Sequence, residues 1–412
     1  MTRVLVIGLD GVPLELIQSW AQERKLPVLK SILDQGAVGF LESTIPPISA
    51  PAWSSFMTGK NPGKTDIYDF LYRRKGSYVF YPNDARRRDG KTIWNILSGE
   101  NKHVGVLNVP MTYPVEPIKG FMISGWMTPY RARGFFWPPD LLTELEAEVG
   151  HYWIYPTATF SEQHRQAFFE ASYRLLDMLT RAALYLMGRD SWDFFMVVYF
   201  DTDRILHQLW HYLDPYHPWR RSDGATDKSE PVWRYFQRLD ESLGQLIEQA
   251  GNDTLVIIMS DHGMGPAHNM IVLNNWLLDI GLLQLKSNPL TRLKRRSFKW
   301  GFTLRNVHEM VDRLGWAKHA EYKALYSMDA LMKTLFLSFH DVDWSRSKAY
   351  SFGRSVGPIY LNVKGREPQG IVQPGREYEE VRAEIAALAR ELADPRTGRP
   401  LVGRVLYREE IY

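Results

Sequence analysis

Four places in this chain combine side chains that could act together on a polar substrate. Ser260-Asp261-His262-Gly263 follows the apolar run Thr254–Met259. A carboxylate beside an imidazole at such a point can bind a divalent metal. Asp203 and His207 are spaced i, i+4, which on a helix puts both on one face, close enough to share a metal. Asp10-Gly11 closes the apolar run that starts at Arg3, and Ser49 opens Ser49-Ala50-Pro51-Ala52-Trp53. Each has a plainer reading alone: Asp10-Gly11 as a turn, Ser49 as a helix cap, Asp203 and His207 as a surface pair. Their conjunction in this order is far more specific than any one of them.

The elements that must position these groups alternate between strand and helix character. Residues 3–10, 194–200 and 254–259 are short, β-branched or aromatic, and without polar alternation, which predicts buried parallel strands. In open α/β sheets, ligand sites sit at the carboxyl ends of such strands. Asp10, Asp203 and Asp261 all fall there. Further strands are expected at 39–45, 103–110, 120–124, 349–352 and 359–363. Helices are expected at 14–35, from Ser49 to near Gly59, and at 163–188, 204–213, 230–250 and 376–394. Asn61-Pro62-Gly63 and Asp394–Gly398 read as turns. The expected fold is α/β, with a mostly parallel central sheet, helices on both faces, and cap or lid insertions. Residues 1–412 are read as one catalytic domain, with 70–190 partly cap and 286–340 a helical lid insertion.

Composition narrows the chemistry. The chain has 412 residues, a formal net charge of +3 and no cysteine. Disulfides, cysteine zinc sites and thiol nucleophiles are excluded. Bulk charge implies no nucleic-acid binding. No apolar run is long enough for a membrane span, and no signal peptide is recognisable, so a cytoplasmic location is expected. The 286–299 segment carries Lys286, Arg292, Lys294, Arg295, Arg296 and Lys299. A solvated lid is the expectation there, with peripheral membrane contact as the alternative. Arg73-Arg74-Lys75 and Arg86-Arg87-Arg88 are candidate contacts for an anionic substrate, or simply solvated loops.

Four segments carry a resemblance: Val6-Ile-Gly-Leu-Asp-Gly11, Ser49–Gly59 with Asn61-Pro-Gly63, Asp203-Arg-Ile-Leu-His207, and Val256-Ile-Ile-Met-Ser-Asp-His-Gly-Met264. In these the chain resembles the alkaline phosphatase superfamily, and within it the type I phosphodiesterase/nucleotide pyrophosphatase family. The resemblance implies two divalent metals, zinc being expected and manganese the alternative. Asp10, Ser49, Asp261 and His262 would contact one, and Asp203 and His207 the other, with a further histidine. It also implies Ser49 as the nucleophile, a phosphoserine intermediate, and a small-molecule phosphate ester or phosphodiester as substrate. Within the same superfamily a phosphomutase is the alternative, and a catalytically impaired binding protein is the reading from outside enzymology.

Three departures accompany the resemblance. Ala52 stands where nucleotide pyrophosphatases place an asparagine that contacts a phosphate oxygen. Trp53 stands where the sulfatase motif needs arginine, which argues against a sulfatase. The third ligand of the second metal has no counterpart in the expected context: beyond His262 come His268, His308, His319 and His340. The expectation is that this ligand lies past Tyr412.

Overall fold

The computed structural model describes residues 2–217, 228–268, 270–303, 306–307, 310, 335–353 and 357–412. They form two compact units. The first comprises Met1–Tyr72, Tyr81–Met270 and Arg408–Tyr412; the second comprises Arg73–Phe80 and Ile271–Tyr407.

The first unit is built on a six-stranded sheet. Its strands are β1 (Arg3–Leu9), β2 (Val104–Val109), β3 (Gly120–Ser124), β4 (Phe136–Trp137), β5 (Phe194–Tyr199) and β6 (Thr254–Met259), in spatial order β4-β3-β2-β5-β1-β6. All neighbouring pairs are parallel except β3 with β4. β2 and β5 are buried along their whole length. Their side chains alternate between two apolar layers rather than between core and water. Leu5, Ile7, Phe195, Val197 and Tyr199 face a layer that includes Trp20, Leu179, Leu209 and Leu243. Val6, Met196 and Val198 face another that includes Trp53, Met57 and Trp94. Helices therefore cover both faces. α4 (Arg165–Arg189), α5 (Asp201–Leu213) and α6 (Glu230–Ala250) contribute to the first layer, and Ser49–Thr58 to the second.

Several local expectations are corrected. The helix expected over 14–35 is two, α1 (Leu14–Gln22) and α2 (Pro27–Gln35). Proline at the first position of α2 cannot supply the amide a continuous helix needs, and Arg24 adopts a left-handed φ of 59°. Residues 39–45 form no strand, and Phe40 and Leu41 are exposed. β6 is parallel as expected but is not buried. It is an edge strand, and Leu255 and Ile257 project into solvent. Residues Pro62–Thr65 make one helical turn, capped by the Asn61 side chain, which accepts from the Lys64 amide. Relative to the pattern, the helix at 165–189 shifts, that at 201–213 starts three residues earlier, and that at 376–390 ends four residues sooner.

The second unit packs around Leu277, Leu283, Trp344, Tyr350, Leu361 and Val381. Two short antiparallel strands, Ala349–Ser351 and Ile359–Leu361, run through it. Tyr78 stacks on Trp344 with ring centres 3.7 Å apart, and its hydroxyl donates to Asn362 Oδ1 at 2.7 Å. Much of the expected 286–340 lid, including His308 and His319, lies outside the described residues. No helix among the described residues is long and apolar enough to cross a membrane.

Gly8 in β1 makes room for the site's main support. A β-carbon there would sit 2.5 Å from Trp53 Cη2 and 2.9 Å from Val198 Cγ2. Neither neighbour can retreat, because both are buried in the close-packed layer. Gly8→Ala is therefore expected to lower unfolding free energy by about 1–3 kcal/mol through overpacking. Urea unfolding of the two proteins measures this, and an unchanged midpoint would show that the layer yields.

Candidate active site

β5, β1 and β6 are adjacent and parallel, so their carboxyl ends form one rim. Register pairs Leu9 with Tyr199 and Gly8 with Met259. The chain leaves β1 through Asp10-Gly11, leaves β5 directly into α5, and leaves β6 through Ser260–Gly263. α3 (Ser49–Thr58) begins at Ser49. Ser49 is not the cap, since Ile48 occupies that position and no side chain caps the helix. Its hydroxyl instead turns to the rim.

All six residues singled out from the sequence meet there, in the first unit. Ser49 Oγ lies 3.1 Å from Asp10 Oδ1 and 3.1 Å from His262 Nε2. His262 Nε2 is 3.5 Å from Asp10 Oδ1, 3.5 Å from Asp261 Oδ2 and 3.9 Å from Asp203 Oδ1. His207 Nε2 is 3.3 Å from Asp203 Oδ1. Asp10 and Asp261 are almost fully buried, whereas the His207 side chain is 61% exposed. The first group is thus enclosed, and the Asp203–His207 pair opens towards solvent.

Hydrogen bonds set the orientations. His262 Nδ1 is 2.8 Å from the Gly263 carbonyl, which can only accept. Nδ1 therefore carries a proton, and in the neutral ring Nε2 presents its lone pair to the site. The Gly11 amide donates to Asp261 Oδ1 at 3.2 Å. Gly11 has φ of 70°, and a β-carbon there would lie 2.6 Å from Asp203 Oδ1, so only glycine fits. Asp203 sits in the first turn of α5, where the helix dipole favours negative charge. The apolar residues Ile205, Leu206, Leu209 and Tyr212 hold that helix against the core.

Three supports were not read from the sequence as functional. Trp53 Nε1 donates to Asp10 Oδ2 at 2.8 Å. Thr202 Oγ1 donates to the Asp10 carbonyl at 2.6 Å, and Ser43 Oγ donates to the Asp261 carbonyl at 2.6 Å. For Trp53 a signal existed. It lies one helical turn after Ser49, and a buried indole N–H requires an acceptor.

The donor set suits a cation. Asp10, Asp203 and His262 offer ligand atoms that all lie within 4.8 Å of one another. Asp261 Oδ2 is buried and accepts no hydrogen bond among the described residues, and the buried Asp203 Oδ1 has His207 Nε2 3.3 Å away. Ser49 has one hydroxyl proton for two acceptors. Burial first, then the charge of Asp203, raises the Asp10 pKa to about 7, despite His262, Trp53 and Ser49. Burial and then Asp10 push Asp261 well above the ordinary carboxyl range. His207 is raised, chiefly by its hydrogen bond to Asp203.

Other candidates fall elsewhere. Arg86, Arg87 and Arg88 pair with Asp84, Asp66 and Glu116, and Arg73 pairs with Glu367. These arginines are engaged structurally. His268 Nε2 is 3.5 Å from Asp214 Oδ2, and its ring centre is 5.4 Å from that of His217, which lies 5.9 Å from His211. His340 belongs to the second unit.

This rim joins a serine at a helix start to a carboxylate–imidazole cluster. The chain belongs to the type I phosphodiesterase/nucleotide pyrophosphatase family, whose model matches residues 4–412. No curated protein matches it. Among solved structures it is similar to phosphonoacetate hydrolase from Sinorhizobium meliloti 1021, in complex with phosphonoacetate. Identity is 16% and the TM-score 0.44, covering 70% of this chain and 65% of that one. It is also similar to Ps i-CgsB in complex with k-i-k-neocarrahexaose, at 18% identity and a TM-score of 0.35, covering 63% and 58%. The chain thus spans less than two thirds of the length of these relatives. The alkaline phosphatase superfamily is metal-dependent.

Two measurements follow from the electrostatics. An acid whose pKa is higher folded than unfolded binds more protons in the folded state, so stability falls as pH rises between the two values. For Asp10 that window runs from about 4 in the unfolded chain to about 7 folded. Metal-free protein should therefore lose stability as pH rises from 4 to 7, and added zinc should raise Tm more at pH 8 than at pH 5. A metal increment independent of pH would contradict this. Trp53→Phe removes one donor to Asp10 with little loss of volume, and should weaken metal binding by about 10–100-fold. Titration against a competing chelator reads that loss.

Proposed function

We propose that this protein is a metal-dependent phosphoester hydrolase that uses Ser49 as its nucleophile. The observation that supports it most is the Ser49 hydroxyl, 3.1 Å from both Asp10 and His262 within a cluster of buried carboxylates. Asp10, Ser49, Asp261 and His262 would hold one divalent ion, and Asp203 with His207 the other. Zinc fits this mixed nitrogen and oxygen set, and manganese is the alternative. Such ions supply the positive charge that makes a serine hydroxyl acidic at neutral pH and neutralises a phosphoryl group.

The chain's own residues do the remaining work. Ser49 Oγ loses its proton, with Asp10 Oδ1 the nearest carboxylate oxygen to take it. The oxygen then attacks phosphorus, forming a serine phosphate while the alcohol or phosphate leaving group departs. Water hydrolyses that ester in a second displacement and restores Ser49. At the start of α3 the amides of Ser49 and Ala50 have no intrahelical acceptor and would serve as donors to a phosphate. Ala52 contributes no side-chain donor, so substrate binding relies on those amides and on charge. The exposed flank at His207 gives the leaving group a route to solvent.

The test is an assay of the zinc- or manganese-loaded protein on a phosphodiester, a phosphomonoester and a sulfate ester of one chromophore. Hydrolysis of a phosphate ester is expected, with the sulfate ester spared. Ser49→Ala should lower kcat by at least ~1,000-fold, the scale of losing an activated nucleophile, while retaining bound metal. Asp261→Asn should lower metal content and activity together. Full activity in Ser49→Ala would sink the covalent route, and inertness of the metal-loaded protein towards every ester would favour a binding role.

A further inference from the structure

The helix Pro289–Lys299 in the second unit is built inside out. Asn288 caps it, accepting from the Thr291 amide at 2.8 Å. Its buried residues are polar: Thr291 at 2% exposure and Lys294 at 7%. Both are anchored to Asp341, Thr291 Oγ1 donating to Oδ1 at 3.1 Å and Lys294 Nζ lying 3.0 and 3.1 Å from the two carboxylate oxygens. A buried, doubly hydrogen-bonded ion pair fixes which face of the helix is turned inward.

The outward face is apolar and basic. Leu290 is 52% exposed, Leu293 61% and Trp300, just past the last turn, 75%. With Ser297 they fall at 290, 293, 297 and 300, the spacing of one helical stripe. Arg292, Arg295, Arg296 and Lys299 flank it and are exposed or half-exposed. The Arg296 guanidinium lies over the Trp300 ring at 4.9 Å. Among the described residues, none of these four cations is in an ion pair. No acidic residue occurs between Asp279 and Glu309.

We propose that this helix is a docking surface for an anionic lipid bilayer. A solvated lid would turn Leu290 and Leu293 inward and Lys294 outward, and the Lys294–Asp341 pair enforces the opposite. Leucines beside an indole, bordered on one side by cations that form no ion pair among the described residues, match the interface of an anionic membrane: apolar groups enter the headgroup boundary and arginines meet lipid phosphates. A nucleic acid would use the arginines but leave the leucines in water. The arrangement suits adsorption in the plane of the membrane, since the helix is far too short to span one.

Flotation of the full chain with vesicles tests this. It should bind vesicles of equimolar phosphatidylcholine and phosphatidylglycerol, not phosphatidylcholine alone, and be released by high salt. Arg295→Gln with Arg296→Gln should weaken binding by roughly 25-fold, about fivefold per charge. Leu293→Ser should also weaken it, at unchanged Tm, because all three side chains are exposed. The proposal is overturned if the chain ignores anionic vesicles, or if both variants bind them as well as the parent. It is equally overturned if the patch instead binds RNA, or drives Leu293-dependent self-association, without vesicle binding.

Discussion

Three carboxylates, Asp10, Asp203 and Asp261, converge at the carboxyl ends of three adjacent strands, and two of them are nearly sealed from water. Like charges this close in a poorly polarisable interior repel strongly. The metal-free cluster can relieve that repulsion only by taking up protons, which is why Asp10 and Asp261 hold theirs far into the neutral direction. A bound cation relieves it without protons. The fold accepts the cost because β1 and β5, packed on both faces, cannot move apart to dilute the charge. Gly11 adds to the constraint, since its missing side chain is the space that Asp203 occupies.

The helix that carries Ser49 and strand β1 are coupled through one indole. Trp53 crosses above Gly8, fills the layer beneath the sheet and gives its N–H to Asp10. Packing and electrostatics are joined in that side chain: the contact that docks α3 against β1 also orients the carboxylate facing Ser49. Ser49 and Trp53, one turn apart on α3, therefore approach the same Asp10 from its two oxygens. A shift of the helix by a fraction of an ångström would disturb both.

Much of this was legible in the sequence, for physical reasons. The apolar runs at 4–9 and 194–199 read as strands covered on both faces, and a polar residue at the end of such a run marks the rim. Asp10 follows its run in that way and Asp261 comes one residue further on from its own, whereas Asp203 is marked by its i, i+4 spacing with His207 and not by the run, which with Phe200 leads directly into Asp201. Elsewhere local pattern was a poor guide. Thr254–Met259 reads like the central strands, because an apolar run does not reveal whether a further strand lies beside it. Residues 39–45 have strand composition but no pairing partner among the described residues. Trp53 was seen only as the absence of an arginine. Its spacing one turn after Ser49 hinted at a polar role, but its seat also needs Gly8, 45 positions earlier, and that steric match has no local signature. The basic runs at 73–75 and 86–88 suggested substrate contacts, but the ion pairs that engage four of these arginines come mostly from distant acids.

The first turn of α3 also limits what this site can recognise. Ala50, Pro51 and Ala52 carry no polar side chain, and Pro51 has no amide hydrogen. The two polar side chains of that turn, Ser49 and Trp53, are both directed at Asp10. For the proposed phosphoester substrate, the side chains of this turn would offer no discrimination by shape, since backbone amides and cations respond chiefly to charge. Discrimination has to come from groups farther from the reacting oxygen. Along α5, one turn past His207 and about 6 Å on by helical rise, His211 begins a series that continues through His217 to His268 and Asp214. In that series His217 is buried and His211 partly exposed. In the proposed reading, the enclosed half would hold the reacting oxygen, and the exposed His207 side is where a leaving group would be told apart.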